Sequence, residues 1–162
     1  MANDNLATYL NDHLAGSVAA LELLAYLEEQ HAGTPVERLA ADLRAGVAAD
    51  RRELEALMER LDIVQSRPRK ATAWLAEKIT QIKLRLDDPT GGALRLLEAL
   101  EAVAIGIEGK RALWCALEAA AEDASALQGL DYELLTRRAE EEQRNRVEVM
   151  RLGAAKEALG AS

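Results

Sequence analysis

The sequence predicts an all-α fold built from four long helices, and three observations predict it. Alanine (32 residues) and leucine (27 residues), both strong helix formers, make up more than a third of the 162 residues. Residues that sheets favour are scarce, since Val and Ile together number 12, aromatics are 3% and Phe is absent. Apolar residues also recur at helical spacing over four long stretches. We therefore expect residues 1–162 to form a single helical domain.

The first two predicted helices form an antiparallel hairpin. The first covers residues 4–30. The second covers residues 34–62 and begins with a typical start signal, in which Thr34 caps, Pro35 takes the first helical position and Glu37 completes a capping box. Because only a few residues separate the two helices, they lie side by side in opposite directions.

A long connection, residues 63–88, separates the second helix from the third. It contains Pro68 and an amphipathic stretch over residues 71–86, which predicts a short extra helix carrying Trp74. A simple up-down-up-down bundle needs no connection of this length. A bundle with a crossover does, because the chain must return along the whole bundle before the third helix begins. The second and third helices would then run parallel.

The last two predicted helices form a second hairpin. The third helix begins near Pro89 and ends near residue 122. After a short loop, Asp131 is the predicted N-cap of the fourth helix, which ends at about residue 159, before Gly160.

Charge and cysteine content exclude several classes of protein. The chain has 28 acidic and 20 basic residues and a net charge of −8, whereas nucleic-acid binders normally present a basic face. The single Cys115 cannot form an internal disulfide, and the first residues do not resemble a secretion signal. No apolar run approaches the ~18 residues that a membrane span requires. We therefore expect a cytoplasmic protein with no nucleic-acid partner and no membrane span.

Polar residues interrupt the apolar stripe of each predicted helix. Projection at ~100° per residue places several of them inward or on the shoulder of a stripe: His13, Asp50, Glu108, Lys110, Glu142 and Arg146. On the fourth helix the projected stripe is Leu135, Ala139, Val149, Met150 and Gly153. Glu142 and Arg146 lie near its centre. Counted inward from one end of a crossover bundle, five of these residues fall at similar depth: His13, Asp50, Glu108, Glu142 and Arg146. This predicts a polar layer in the middle of the core.

Two interpretations of this layer remain open. One is a divalent-metal site, for Fe, Mn or Zn, with the ligands His13, Asp50, Glu108 and Glu142. The other is a buried ion network in which Arg146 lies between Asp50 and Glu142, with His13 hydrogen-bonded nearby, and which fixes helix register. Clustered carboxylates repel each other unless a cation joins them. Because the chain itself supplies Arg146, the charge balance favours the network.

The order hairpin, crossover, hairpin resembles the ferritin-like superfamily. The stretches NDHLAGS (residues 11–17), GIEGK (106–110) and QRNRVEVMR (143–151) resemble small bacterial ferritin-like proteins of unassigned function. The resemblance implies Fe or Mn in the bundle core and, if the chain is an enzyme, a di-metal carboxylate-type oxidase. Characterised di-iron members carry Glu-x-x-His on two helices. This sequence has Asp50-x-x-Glu53, and Glu142-x-x-Asn145 or Glu140-x-x-Gln143, at the corresponding places.

The missing Glu-x-x-His histidines favour a metal-free structural or interaction bundle that is not an enzyme. In this interpretation there are no catalytic residues and no cofactor. The outer faces would bind a protein partner or a second copy of the chain, as in a homodimer. The alternative is a ferritin-like protein that binds Fe or Mn.

Overall fold

The computed structural model describes residues 4–66, 77, 80, 81 and 92–160, apart from the side chain of Glu142. The described residues are helical without any strand, which confirms the all-α prediction. Their first three long helices are α1 (Asp4–Gln30), α2 (Pro35–Arg60) and α3 (Gly92–Ala121). None of the described helices is long and apolar enough to cross a bilayer.

The fourth long helix, which we call the fourth rod, has three consecutive parts. These are α4 (Tyr132–Arg137), a π-helix (Arg138–Arg144) and α5 (Asn145–Leu159). A single 3₁₀ turn, Ser125–Leu127, lies between α3 and the fourth rod. The predicted N-cap is confirmed, because the Asp131 carboxylate accepts a hydrogen bond of 2.9 Å from the Leu134 amide.

The start signal of α2 works only in part. Pro35 is the first residue of the helix, as predicted. The Glu37 carboxylate reaches back to accept from the Gly33 amide at 2.6 Å. The Thr34 hydroxyl, however, donates to the His31 carbonyl at 2.6 Å instead of capping the amides of α2. The predicted capping box is therefore incomplete.

Buried apolar side chains of the described residues form two clusters along the bundle. The first contains Leu27, Leu39, Leu97 and Ala154, among others. The second contains Leu10, Leu57, Trp114 and Tyr132, among others. The early parts of α2 and α3 thus belong to the first cluster and their late parts to the second, so these two helices run in the same direction. The first helix and the fourth rod run opposite to them.

Part of the predicted connection lies outside the described residues. The predicted extra helix over residues 71–86 is described only at Glu77, Thr80 and Gln81, each of which is helical. The predicted start of the third helix at Pro89 also lies outside them.

The fourth rod differs from the sequence projection because it contains a π-helix. Its buried stripe includes Leu135, Ala139, Gln143 and Val147, which lie four residues apart. In an α-helix, residues four apart are about 40° out of line, so the stripe would drift around the rod. A π-helix, with bonds between residues five apart, holds more residues per turn and takes up this drift.

The inward positions that follow the π-helix therefore lie one residue later than predicted. Val147 and Ala154 are buried, whereas the regular projection places residues 146 and 153 inward. The predicted inward positions of Val149 and Gly153 are wrong, since Val149 is 75% exposed and Gly153 is exposed.

Candidate functional site

A buried carboxylate, Asp50, lies at the centre of the candidate site. It occupies the buried stripe of α2 and is only 2% exposed. The Lys110 ammonium on α3 donates to one of its oxygens at 2.5 Å. The Arg138 guanidinium, at the start of the π-helix, donates to the other oxygen at 2.6 Å. Asp50 therefore ties three separate elements together.

The side-chain amide of Gln143 completes this network. Gln143 is 2% exposed, its Nε2 donates to Asp50 Oδ2 at 3.2 Å, and its Oε1 accepts from Lys110 Nζ. Gly46 on α2 makes room for it, since a Cβ at that position would stand 2.9 Å from Gln143 Nε2. We call Asp50, Lys110, Arg138 and Gln143 the Asp50 network.

The π-helix brings two members of the network to one side of the fourth rod. Arg138 and Gln143 lie five residues apart and both bond to Asp50. In an α-helix, residues five apart project about 140° from each other. Because π-helical bonding joins residues five apart, it aligns them. The irregular turn is thus the feature that lets both side chains reach one carboxylate.

The charges of the network shape the titration of Lys110. Burial lowers the pKa of its ammonium, the neighbouring Asp50 carboxylate raises that pKa, and the Arg138 charge lowers it again. Burial is the largest of these effects. The Lys110 and Arg138 charges face the single Asp50 charge, so the described side chains of the network carry one excess positive charge.

His13 lies on α1 and is not among the groups bonded to Asp50 in the described part of the structure. It is partly buried and makes an edge contact with the Tyr9 ring, with 4.6 Å between ring centroids. Burial lowers the pKa of its imidazole, and the nearby Asp12 opposes this shift. The predicted place of His13 within the ion network is therefore wrong.

Glu108 points to solvent, so its predicted role as an inward metal ligand is wrong. It is exposed on α3 and accepts from Arg111 at 2.8 Å and from Arg144 at 3.4 Å. The bonds from Arg111, with a smaller effect of Arg144, hold the pKa of its carboxyl below the usual value. Its position about 140° around α3 from Val103, which is buried, explains this exposure.

Arg146 also lies on the surface, so its predicted place beside Asp50 is wrong. Its side chain is 46% exposed and pairs with the exposed Asp42 on α2 at 2.8 Å. The π-helix rotates it outward, as it does Val149 and Gly153. The side chain of Glu142, the remaining predicted member, lies outside the described part of the chain.

The described residues do not fit a di-metal carboxylate site. Among them, no three His, Cys, Asp or Glu side chains come together in a way that could hold a metal ion. Both oxygens of Asp50 already accept bonds from protein cations. Lys110 and Arg138 therefore supply the positive charge that a metal would otherwise bring.

Sequence reasoning found Asp50 but missed two of its partners. Lys110 was recognised only as a residue on the shoulder of the third helix, and Arg138 and Gln143 were not recognised. One signal could have revealed Gln143. The four-residue spacing from Leu135 through Ala139 and Gln143 to Val147 fits a widened turn better than a regular α-helix.

Comparison of the chain with family models, with curated proteins and with solved structures gives no match.

Proposed function

We propose that the chain is a metal-free structural or interaction bundle in which the Asp50 network fixes the mutual register of its helices. One observation carries this proposal. A single buried carboxylate on α2 is bound by side chains from α3 and from the fourth rod. Sliding any of these helices by one turn, about 5.4 Å, would leave buried charges without partners.

We further propose a ferritin-like connection between the second and third helices. The common direction of α2 and α3 supports it, because a chain that leaves the end of α2 must return along the bundle to begin α3. Such a connection makes register a real requirement, since α2 and α3 are not held together by a short loop.

Exposed apolar side chains support a role in protein interaction. Ile105 on α3 and both Val149 and Leu159 on α5 are largely exposed. An outer face on which such apolar groups adjoin one another is typical of surfaces that meet a partner, including a second copy of the same chain. Sedimentation equilibrium would show whether the chain dimerises, and substitution of Val149 by Lys would then weaken the dimer if α5 contributes to the contact.

The metal-free proposal is tested against its Fe or Mn alternative by elemental analysis and thermal melting. Protein purified without chelator is expected to carry no stoichiometric metal. Added Mn²⁺, or Fe²⁺ without oxygen, is expected to leave the melting temperature unchanged, because Asp50 is already neutralised by Lys110 and Arg138. Stoichiometric Fe or Mn that disappears in Asp50→Asn but persists in the surface control Asp42→Asn would contradict the proposal.

A further inference from the structure

A cavity of about 320 Å³ adjoins the Asp50 network between α1, α2 and α3. Most of its wall is apolar, and the lining residues include Leu24, Leu43, Val47, Leu54, Val103 and Leu113. Ile105, one of the lining residues, is 62% exposed, so this part of the cavity wall adjoins solvent. Cavities of this size with apolar walls and a few polar groups are typical of small-molecule sites.

Two glycines on α3 form part of the cavity wall. Gly106 and Gly109 both line it, and a Cβ placed on either would meet no other atom within 4 Å. Glycine destabilises a helix relative to alanine, and it is often retained where two backbones approach closely. Neither glycine serves such an approach, so the backbone has space for a larger side chain at either position of the cavity wall.

The polar and charged residues that line the cavity are Asp12, His13, Ser17, Asp50, Arg51 and Lys110. Of these, Asp50 and Lys110 belong to the Asp50 network, and the charges that act on Lys110 are those of Asp50 and Arg138. A lysine ammonium has three N–H groups. In the described part of the structure, the Lys110 ammonium donates to Asp50 and to Gln143. A third is therefore left for an acceptor in the cavity that Lys110 lines. The excess positive charge of the described network favours an acceptor that is negatively charged. His13, whose pKa is lowered by burial, also lines the cavity.

We propose that this cavity binds a small apolar carboxylic acid, with its hydrocarbon part against the wall formed by α1, α2 and α3 and its carboxylate at Lys110. The carboxylate balances the excess charge of the Asp50 network. The hydrocarbon part displaces water from the apolar wall, which is the main source of affinity for such a ligand. This role is separate from register, because the cavity lies beside the network and does not replace any of its bonds.

Titration calorimetry with octanoate tests the proposal, and octan-1-ol serves as an uncharged ligand of the same length. The chain is expected to bind one octanoate saturably and to bind octan-1-ol at least about tenfold more weakly, because the alcohol lacks the charge-assisted bond to Lys110. Equal affinity for the two ligands would overturn the assignment of the carboxylate to Lys110. Absence of saturable octanoate binding would overturn the whole proposal.

A matched pair of glycine variants locates the site. Gly106→Leu fills the cavity with a side chain for which the backbone has space, and it is expected to weaken octanoate binding at least about tenfold. Gly153→Leu places the same side chain on an exposed position of α5 with nothing within 4 Å, so binding should be unchanged. Circular dichroism confirms that both variants are folded. Unchanged binding in folded Gly106→Leu would place the ligand elsewhere and overturn the proposal.

Discussion

Asp50 carries a negative charge into the middle of an apolar bundle, and three side chains determine what that charge does to stability. Removing a carboxylate from water costs several kcal/mol, which only close and well-oriented partners offset. Lys110 and Arg138 lie at 2.5 and 2.6 Å, and Gln143 fills the remaining space at 3.2 Å. The long stems of Lys110 and Arg138 let their charges reach this point from the edges of their helices.

Two single arginine-to-methionine substitutions distinguish the contribution of the Asp50 network to stability from that of a surface ion pair. Arg138→Met removes a bond to the buried carboxylate, so the free energy of unfolding in urea should fall by about 1–3 kcal/mol. Arg146→Met, the matched control, removes only an exposed pair with Asp42 and should change it by less than about 0.5 kcal/mol. A larger loss in Arg146→Met than in Arg138→Met would mean that Arg146 is the inward cation.

His13 should make the fold less stable in mild acid. Because burial lowers its pKa below the ordinary value of about 6.5, the unfolded chain takes up a proton at a pH where the folded chain does not. Stability is therefore retained above this range and is lost as the pH falls through the folded pKa. Histidine NMR titration should give a pKa below about 6.5.

The variant His13→Gln isolates this effect from other acid-titrating groups. Its loss of stability between about pH 7.5 and 5.5 should be smaller than that of the parent chain. The burial-lowered pKa of His31 contributes in the same direction and remains in both proteins. An equal loss in the two proteins would show that His13 titrates as an exposed group.

At the scale of a helix, the π-helix of the fourth rod decides which residues reach the core. The predicted boundaries of α1 and α2 lie within two residues of the observed ones. Regular projection also placed Asp50 correctly in the buried stripe of α2, because that helix keeps about 3.6 residues per turn. On the fourth rod it placed Leu135 and Ala139 correctly but was wrong at Arg146, Val149 and Gly153, since the widened turn moves inward positions beyond it by one residue. Local hydrogen bonding of this kind changes helical phase without changing composition, and apolar periodicity read at a fixed angle does not reveal it.

Helical glycines should respond differently according to what their Cβ would meet. Gly153→Ala is expected to raise the free energy of unfolding by about 0.5–1 kcal/mol, since alanine is the better helix former. At Gly46 the new Cβ would lie 2.9 Å from Gln143 Nε2, so Gly46→Ala must move the amide away from Asp50. Urea unfolding should therefore show no gain, or a loss, for Gly46→Ala. A gain equal to that of Gly153→Ala would mean that Gln143 contributes nothing.

Across the whole molecule, the Asp50 network stands between two apolar clusters that would tolerate many arrangements by themselves. Leu is the commonest buried residue in both clusters, and a core dominated by one side chain specifies helix register poorly. A buried polar layer can supply that specificity, although often without adding net stability. The sequence predicted such a layer at about the right depth, because a buried Asp among leucines is conspicuous. It did not predict the partners, because long basic side chains at stripe edges look like solvent-facing residues.

A double-mutant cycle on Asp50 and Lys110 tests the central claim most directly. Asp50→Asn leaves the Lys110 and Arg138 charges without their carboxylate, and it is expected to lower the free energy of unfolding in urea by about 2–4 kcal/mol. Lys110→Met removes one of the two cations bonded to Asp50 and leaves Arg138 in place, so its expected loss is about 1–3 kcal/mol. The double variant should lose less than the sum of the two single losses by about 1.5 kcal/mol or more, since Asn and Met leave neither partner of this pair charged. Losses that add to within about 0.5 kcal/mol would contradict the account, because they would show that the two side chains do not act together in the folded protein.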